Sequence, residues 1–147
     1  MKTSHALLAI AAVGTAHLVA RERQHRQQKV VAVARMHDQW LTLLTTNLDL
    51  AEQWAPEGMD VKEYVTLLNA NQQLCALALR YRLGLISKDR LRFVVQAVME
   101  RESVRQYWEK FGAFRAEESL DNKADADFND IVGDVYDARR AMQTAGA

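Results

Sequence analysis

Residues 21–55 read RERQHRQQKVVAVARMHDQWLTLLTTNLDLAEQWA and hold neither proline nor glycine. After the polar run Arg21–Lys29, the positions Val30, Val33, Met36, His37, Trp40, Leu44, Leu48, Ala51 and Trp54 recur at spacings of three and four. That is the period of an amphipathic helix and not of a strand, whose side chains alternate. Pro56 and Gly58 stop the pattern. The heptad register is not strict over the whole run, so no coiled coil is assigned. An apolar stretch precedes Arg21, and if it continues the helix the first element exceeds about 40 residues, a length suited to an anchor, a stalk or a pairing helix.

Working outward, the composition agrees with helices. The chain has 147 residues with one Pro and six Gly, too few breakers for the turns of a β-sandwich or barrel. It is one domain's length and can bury a core without staples. The single Cys75 rules out an intramolecular disulfide and a Cys-rich zinc site. Further helices follow from local signals. Asp60 and Glu63 have the spacing of a capping box, and the second helix runs to Leu83 with Gly84 at its C′ position. Ser87 caps a third helix lined by Leu91, Val94, Val95, Val98 and Met99. Ser103 is expected to cap a fourth that buries Val104, Tyr107, Trp108 and Phe111, with Gly112 weakening its end. Residues 118–125 read as a loop. A last helix is expected from about Ala126 to Met142, burying Phe128, Ile131, Val132, Val135 and Tyr136. The predicted fold is all-α: a compact bundle of about five helices with a long N-terminal helix. Residues 1–20 form an apolar segment and 21–147 a single helical domain.

The apolar segment, Ala6–Ala20, is ALLAIAAVGTAHLVA. As a helix its 15 residues cover roughly 22 Å, short of the ~30 Å hydrocarbon core. Three readings are open: a cleaved signal peptide, though no clean small-residue cleavage site closes the run; an uncleaved membrane anchor; and an alanine-rich helix of a soluble protein. For the anchor, the basic residues that follow would sit at an anionic cytoplasmic surface, placing the helical domain on that side.

The 19 Lys+Arg and 19 Asp+Glu cancel in total but not locally. Residues 1–35 carry Lys2, Arg21, Arg23, Arg26, Lys29 and Arg35 against Glu22, and residues 117–137 carry eight acidic side chains against Lys123. The basic run has no aromatic interleaving, so no nucleic-acid partner is assigned. In the acidic third, Asn129, Asp130, Ile131, Gly133 and Asp137 fit the spacing of the magnesium-binding motif of class I terpene synthases. Those enzymes need a second acidic motif on a facing helix, which is absent, and pairs such as Asp130 and Asp134 read as the wet side of a helix. No metal and no cofactor is assigned. None of His5, His17, His25 and His37 forms a ligand motif, and no nucleophile elbow or phosphate loop is present. An arginine and aromatic set is left: Arg80, Tyr81, Arg82, Arg101, Arg105, Tyr107, Trp108, Phe111, Phe114 and Arg115, able to pair internally or to hold a carboxylate or phosphate group or an acidic partner.

Asn71, Arg80-Tyr81-x-x-Gly84, Arg105-x-Tyr107-Trp108, Phe128 and Tyr136 occur in an order that resembles a family of small actinobacterial proteins, many from Streptomyces, known as a domain of unknown function. The likeness covers roughly residues 30–140, and Ser103-Val104 departs from the Gly-Arg pair usual there. The resemblance implies a helical domain behind an apolar segment and supplies no catalytic residue. The function expected is non-catalytic: a helical protein that binds a protein partner or its own copy, at or near the cytoplasmic membrane. The alternative is a small helical enzyme or ligand-binding protein acting on a hydrophobic natural product in secondary metabolism. Its pocket would lie between the second, fourth and last helices, with Arg80, Arg105, Tyr107, Trp108 and Asp130 as polar handles.

Overall fold

Asn47 divides what the sequence predicts as one long element. Its backbone is extended (φ −124°, ψ 97°) and its side chain accepts a hydrogen bond from the Leu50 amide at 3.1 Å, so it caps a new helix instead of continuing the old one. Just before it, the Thr45 and Thr46 hydroxyls donate back to the Thr42 carbonyl, at 3.1 and 2.7 Å. Short polar side chains of this kind compete with the helical ladder. The computed structural model describes residues 2–146, with side chains from Thr15 onward. Among these residues there are six helices, not about five, and no strand: α1 Lys2–Thr46, α2 Leu48–Trp54, α3 Val61–Arg82, α4 Lys88–Val98, α5 Glu102–Glu118 and α6 Lys123–Ala145.

The chain divides into two units, Met1–His37 and Asp38–Ala147. The first is a single stretch of helix. Its side chains from Thr15 to Lys29 are all exposed, so the polar run forms a solvated collar around it. Among the described residues no helix is long and apolar enough to cross a membrane. Residues 6–14, most of the apolar stretch, lie outside the described side chains.

The second unit is the bundle, and α3 is its hub, packed against α2, α4, α5 and α6; α6 also packs on α4 and α5. Its core is built from Leu67, Leu74, Leu91, Val95, Met99, Val104, Trp108, Phe128 and Val132. Each such side chain removed from water contributes about 1.5–3 kcal/mol. Leu41, Leu44 and Ala51 are buried as well. All the core positions predicted for α4 and α6 are buried or half-buried, because a 3.6-residue period leaves one face for them to share.

Local chemistry sets most of the ends. Asp60 accepts from the Lys62 and Glu63 amides, but the Glu63 carboxylate pairs with Lys110 of α5 at 2.6 Å, so only half of the capping box points home. Gly84, at φ +71°, closes α3: its amide donates to the Tyr81 carbonyl and the Leu85 amide to that of Arg80, both at 2.9 Å, the paired bonds of a Schellman motif. Ser87 accepts from the Arg90 amide, as expected.

Three boundaries differ from expectation. Arg101, not Ser103, is the N-cap of α5, without any side-chain cap; its backbone is already extended and its guanidinium donates to Gln73 at 3.0 Å. Asn122 caps α6 by accepting from the Asp125 amide, so that helix starts at Lys123 and runs to Ala145. Gly112 does not weaken α5, which continues to Glu118. The Trp108 indole lies on it so closely that an added Cβ would sit 2.9 Å from Cε2, while a Cβ added at Gly133 of α6 would sit 3.8 Å from Cζ2 of the same ring, an ordinary contact.

Among the described residues, three of the eight acidic side chains of residues 117–137, Asp125, Asp127 and Asp134, are ion-paired within the bundle. Arg82 pairs with Asp125, Lys88 and Lys123 with Asp127, Arg92 with Asp134, and Arg139 with Glu100. Lys88 is also the main reason that Asp127 is held below the usual carboxylate range.

Two substitutions separate backbone strain from packing. Gly84→Ala meets open space, so its cost is conformational alone, about 1–2 kcal/mol. Gly112→Ala forces the buried indole to shift, and the expected cost is about 1–3 kcal/mol. Urea unfolding checks both, and only Gly112→Ala should also change the near-ultraviolet circular dichroism of Trp108.

Candidate functional site

Arginine on the apolar face of a helix is the feature that organises the bundle's interior. Val104, Tyr107, Trp108 and Phe111 line one side of α5, and Arg115 and Ser119 extend that side by a turn each. The Arg115 guanidinium is part-buried and makes no ion pair among the described residues. Its Nη1 instead donates to the Asn71 Oδ1 at 2.9 Å, the Tyr107 hydroxyl oxygen at 3.4 Å and the Cys75 Sγ at 3.6 Å. Its Nε donates to the Asn129 Oδ1 at 3.5 Å.

Asn71 and Cys75 are four apart on α3 and so share a face. The Asn71 Oδ1 also accepts from the Tyr107 hydroxyl at 2.7 Å and from the Cys75 thiol at 3.4 Å. Three donors thus converge on a carbonyl oxygen with two lone pairs. On the α6 side, the Asn129 amide donates to the Arg115 carbonyl and to the Ser119 hydroxyl, both at 3.0 Å, and that hydroxyl donates to the Ala116 carbonyl. This network joins α3, α5 and α6 through polar side chains that are buried or part-buried.

Its electrostatics follow from burial. Burial raises the Tyr107 phenol above its ordinary value, while the adjacent Arg115 cation pulls the other way. Burial acts to lower Arg115, but the Tyr107 oxygen and the Cys75 sulfur outweigh it and the net shift is upward, so the guanidinium stays charged.

The five residues expected to share a pocket are dispersed. Tyr107 belongs to the network. Trp108 is in the core, on Gly112. Arg105 donates to the carbonyls of Met99 and Glu100, both at 2.7 Å, and so closes the end of α4. Arg80 and Asp130 are exposed. No hydrogen bond or ion pair among the described residues joins any two of the five. Arg105 also lines an open cleft of about 390 Å³ between α5 and α6, with Glu102, Gln106, Glu109, Tyr136, Arg140 and Gln143, a mixed-charge surface.

The magnesium-type spacing in α6 does not converge either: Asn129 faces the network, while Asp130 and Asp137 face solvent. Among the described residues no group of three or more His, Cys, Asp or Glu is placed to hold a metal ion.

Asn71, Cys75, Ser119 and Asn129 were not among the expected site residues. The signal for them is present: a cation at Arg115, in register with Tyr107 and Phe111, demands acceptors on whatever helices face it.

The family model that matches this chain spans residues 2–147. The chain belongs to DUF6082, a family of unknown function. No curated protein and no solved structure matches it. In this DUF6082 chain the motif residues Asn71, Tyr107 and Trp108 have evident work. Asn71 and Tyr107 hold Arg115 between α3 and α5, and Trp108 sets the approach of α5 to α6.

Removing the shared acceptor tests the network. Asn71→Leu leaves the guanidinium without its nearest oxygen and should cost about 1.5–3 kcal/mol in urea unfolding. Tyr107 also predicts an alkaline limit. Its folded pKa is raised, so the unfolded chain releases the phenolic proton first. The contribution of Tyr107 is complete below the ordinary tyrosine pKa, about 10, and is lost as pH rises through the folded value. Stability measured between pH 8 and 11 should fall less steeply for Tyr107→Phe than for the native chain.

Proposed function

We propose that this protein is a non-catalytic helical interaction protein, held at an anionic, cytoplasmic membrane surface through α1. The observation that carries the interaction reading is an exposed aromatic face. Trp40 and Trp54 meet edge to face, with centroids 5.3 Å apart, yet remain 39% and 58% exposed. Leu43 and Leu48 are exposed in the same part of the chain. Large apolar side chains grouped on a surface mark sites of association. The interior supports the same reading. The space where α3, α5 and α6 meet holds Leu74, Trp108, Phe128, Val132 and the Arg115 network, and is not an apolar chamber for a hydrophobic natural product.

The membrane part rests on α1. Its helical backbone includes the apolar residues 6–20, and Arg21 and Arg23 follow directly with exposed side chains. Exposed basic residues on a helix just beyond an apolar stretch suit lipid headgroups, each contributing about 1 kcal/mol near such a surface. The resemblance to actinobacterial proteins with an apolar N-terminal segment adds to this reading.

Sedimentation with vesicles tests it. The full chain should pellet with vesicles containing phosphatidylserine at low salt. Replacing Arg21 and Arg23 by Gln should weaken partitioning by roughly thirtyfold. A chain that stays in the supernatant with such vesicles would end the membrane reading.

A further inference from the structure

The first unit presents a guest for the face just described. On residues 15–37, Arg26, Lys29, Val33 and Met36 are spaced three, four and three apart, so they share one side of the helix. Val33 and Met36 are 66% and 69% exposed, and Arg26 and Lys29 are exposed too; Arg26 pairs with Glu22, one turn back in its own helix, in an exposed ion pair of the kind that is worth little and is readily exchanged. This side is apolar at one end and basic at the other. The second unit presents the counterpart. Beside the exposed Trp40, Leu43 and Trp54, residues 47–60 carry Asp49, Glu52, Glu57 and Asp60 and no Lys or Arg. Asp60 caps α3, while Glu52 and Glu57 are exposed and make no ion pair among the described residues.

We infer that the occupant of the Trp40–Trp54 face is a second copy of this chain, whose helical residues 26–36 lie on it. Val33 and Met36 of the guest cover Leu43 and the indole pair, and Arg26 and Lys29 meet Glu52 and Glu57. Apolar matches apolar and basic matches acidic on a partner that needs no other gene product. Each copy carries one guest and one host surface, so a reciprocal exchange in a two-fold dimer satisfies both. The methionine and indole pairing adds a polarizable contact at the centre, and Arg21 and Arg23 stay available for headgroups.

This inference deepens the interaction reading above and rests on it, but not on its membrane part, which the vesicle assay addresses separately. The test is mass measurement by light scattering on the full chain in a mild non-ionic detergent. The native chain should show a protein mass near twice 16.7 kDa, with dissociation strengthened at least tenfold when salt rises from about 0.05 to 0.5 M. Arg26→Glu with Lys29→Glu makes one altered chain, and Glu52→Lys with Glu57→Lys another. Each alone should be a monomer with native helical content.

Mixed, they should form a dimer, since the acidic guest then finds the basic host and the native guest finds the native host. Val33→Glu with Met36→Glu should be monomeric under every condition. A native chain that is monomeric at about 100 μM would overturn the inference, as would a dimer indifferent to all three double variants. So would two charge-reversed chains that fail to restore each other while both remain folded. In the first case, vesicle binding would leave the membrane reading standing and point to a different protein as the partner.

Discussion

Arg115 carries a full positive charge into the meeting of α3, α5 and α6, and no carboxylate pairs with it among the described residues. A cation withdrawn from water costs several kcal/mol unless oriented dipoles replace the solvent. Here they come from Asn71 on α3, Tyr107 on α5 and Asn129 on α6, at 2.9, 3.4 and 3.5 Å. Sliding one helix along another by a single residue would withdraw an acceptor and leave the charge bare. Apolar packing tolerates such slips far better than a charge does, so the network selects one register for three helices that hydrophobic burial alone would specify loosely. Packing around Trp108 then depends on that register. The indole fits only because Gly112 of its own helix lacks a side chain where it lies; on the α6 side, Gly133 leaves room even for a Cβ at ordinary contact distance.

A filled interior shifts recognition to the outside. The polar side chains that most resemble a binding constellation are spent on one another. The apolar surface left without cover lies instead on the Trp40–Trp54 face and on the exposed side of the first unit. Charges divide the same way. Asp125, Asp127 and Asp134 of the last third are drawn into ion pairs with α4 and the end of α3, whereas the charges of residues 21–35 and 47–60 remain largely exposed. Exposed ion pairs contribute little to stability, so the paired acidic face serves mainly solubility and orientation. Exposed charges of opposite sign, Lys29 and the Glu22-paired Arg26 on one surface and Glu52 and Glu57 on the other, have more to offer as recognition.

Much of this architecture could be read from residue order. The caps at Asp60 and Ser87, the stop at Gly84 and the buried stripes of α4 and α6 are consequences of local geometry: orphan amides need an acceptor within three residues, φ > 0 favours glycine, and a helix has one face per period. Where expectation failed, the deciding partner was distant or the local signal ambiguous. Thr45, Thr46 and Asn47 permit either a continuing helix or a cap. Glu63 has the capping-box spacing yet turns to Lys110, 47 positions away. Gly112 looks like a breaker until the indole that rests on it is seen. Arg105 and Arg115 are alike on paper, but one closes the end of α4 and the other enters the network.

By itself, then, the sequence determined an all-helical chain, its cap chemistry, the single thiol and the uneven spread of its charges, because each depends on neighbours within a turn or two. Tertiary structure alone decided which polar residues meet. Asn71, Tyr107, Arg115 and Asn129 lie on three helices and are brought together by helix crossings that no local spacing encodes. It also decided which apolar residues stay outside: Leu41 and Leu44 are buried while Trp40 and Leu43 are not, a distinction of 100° around one helix that exists only once the bundle lies against one of its sides.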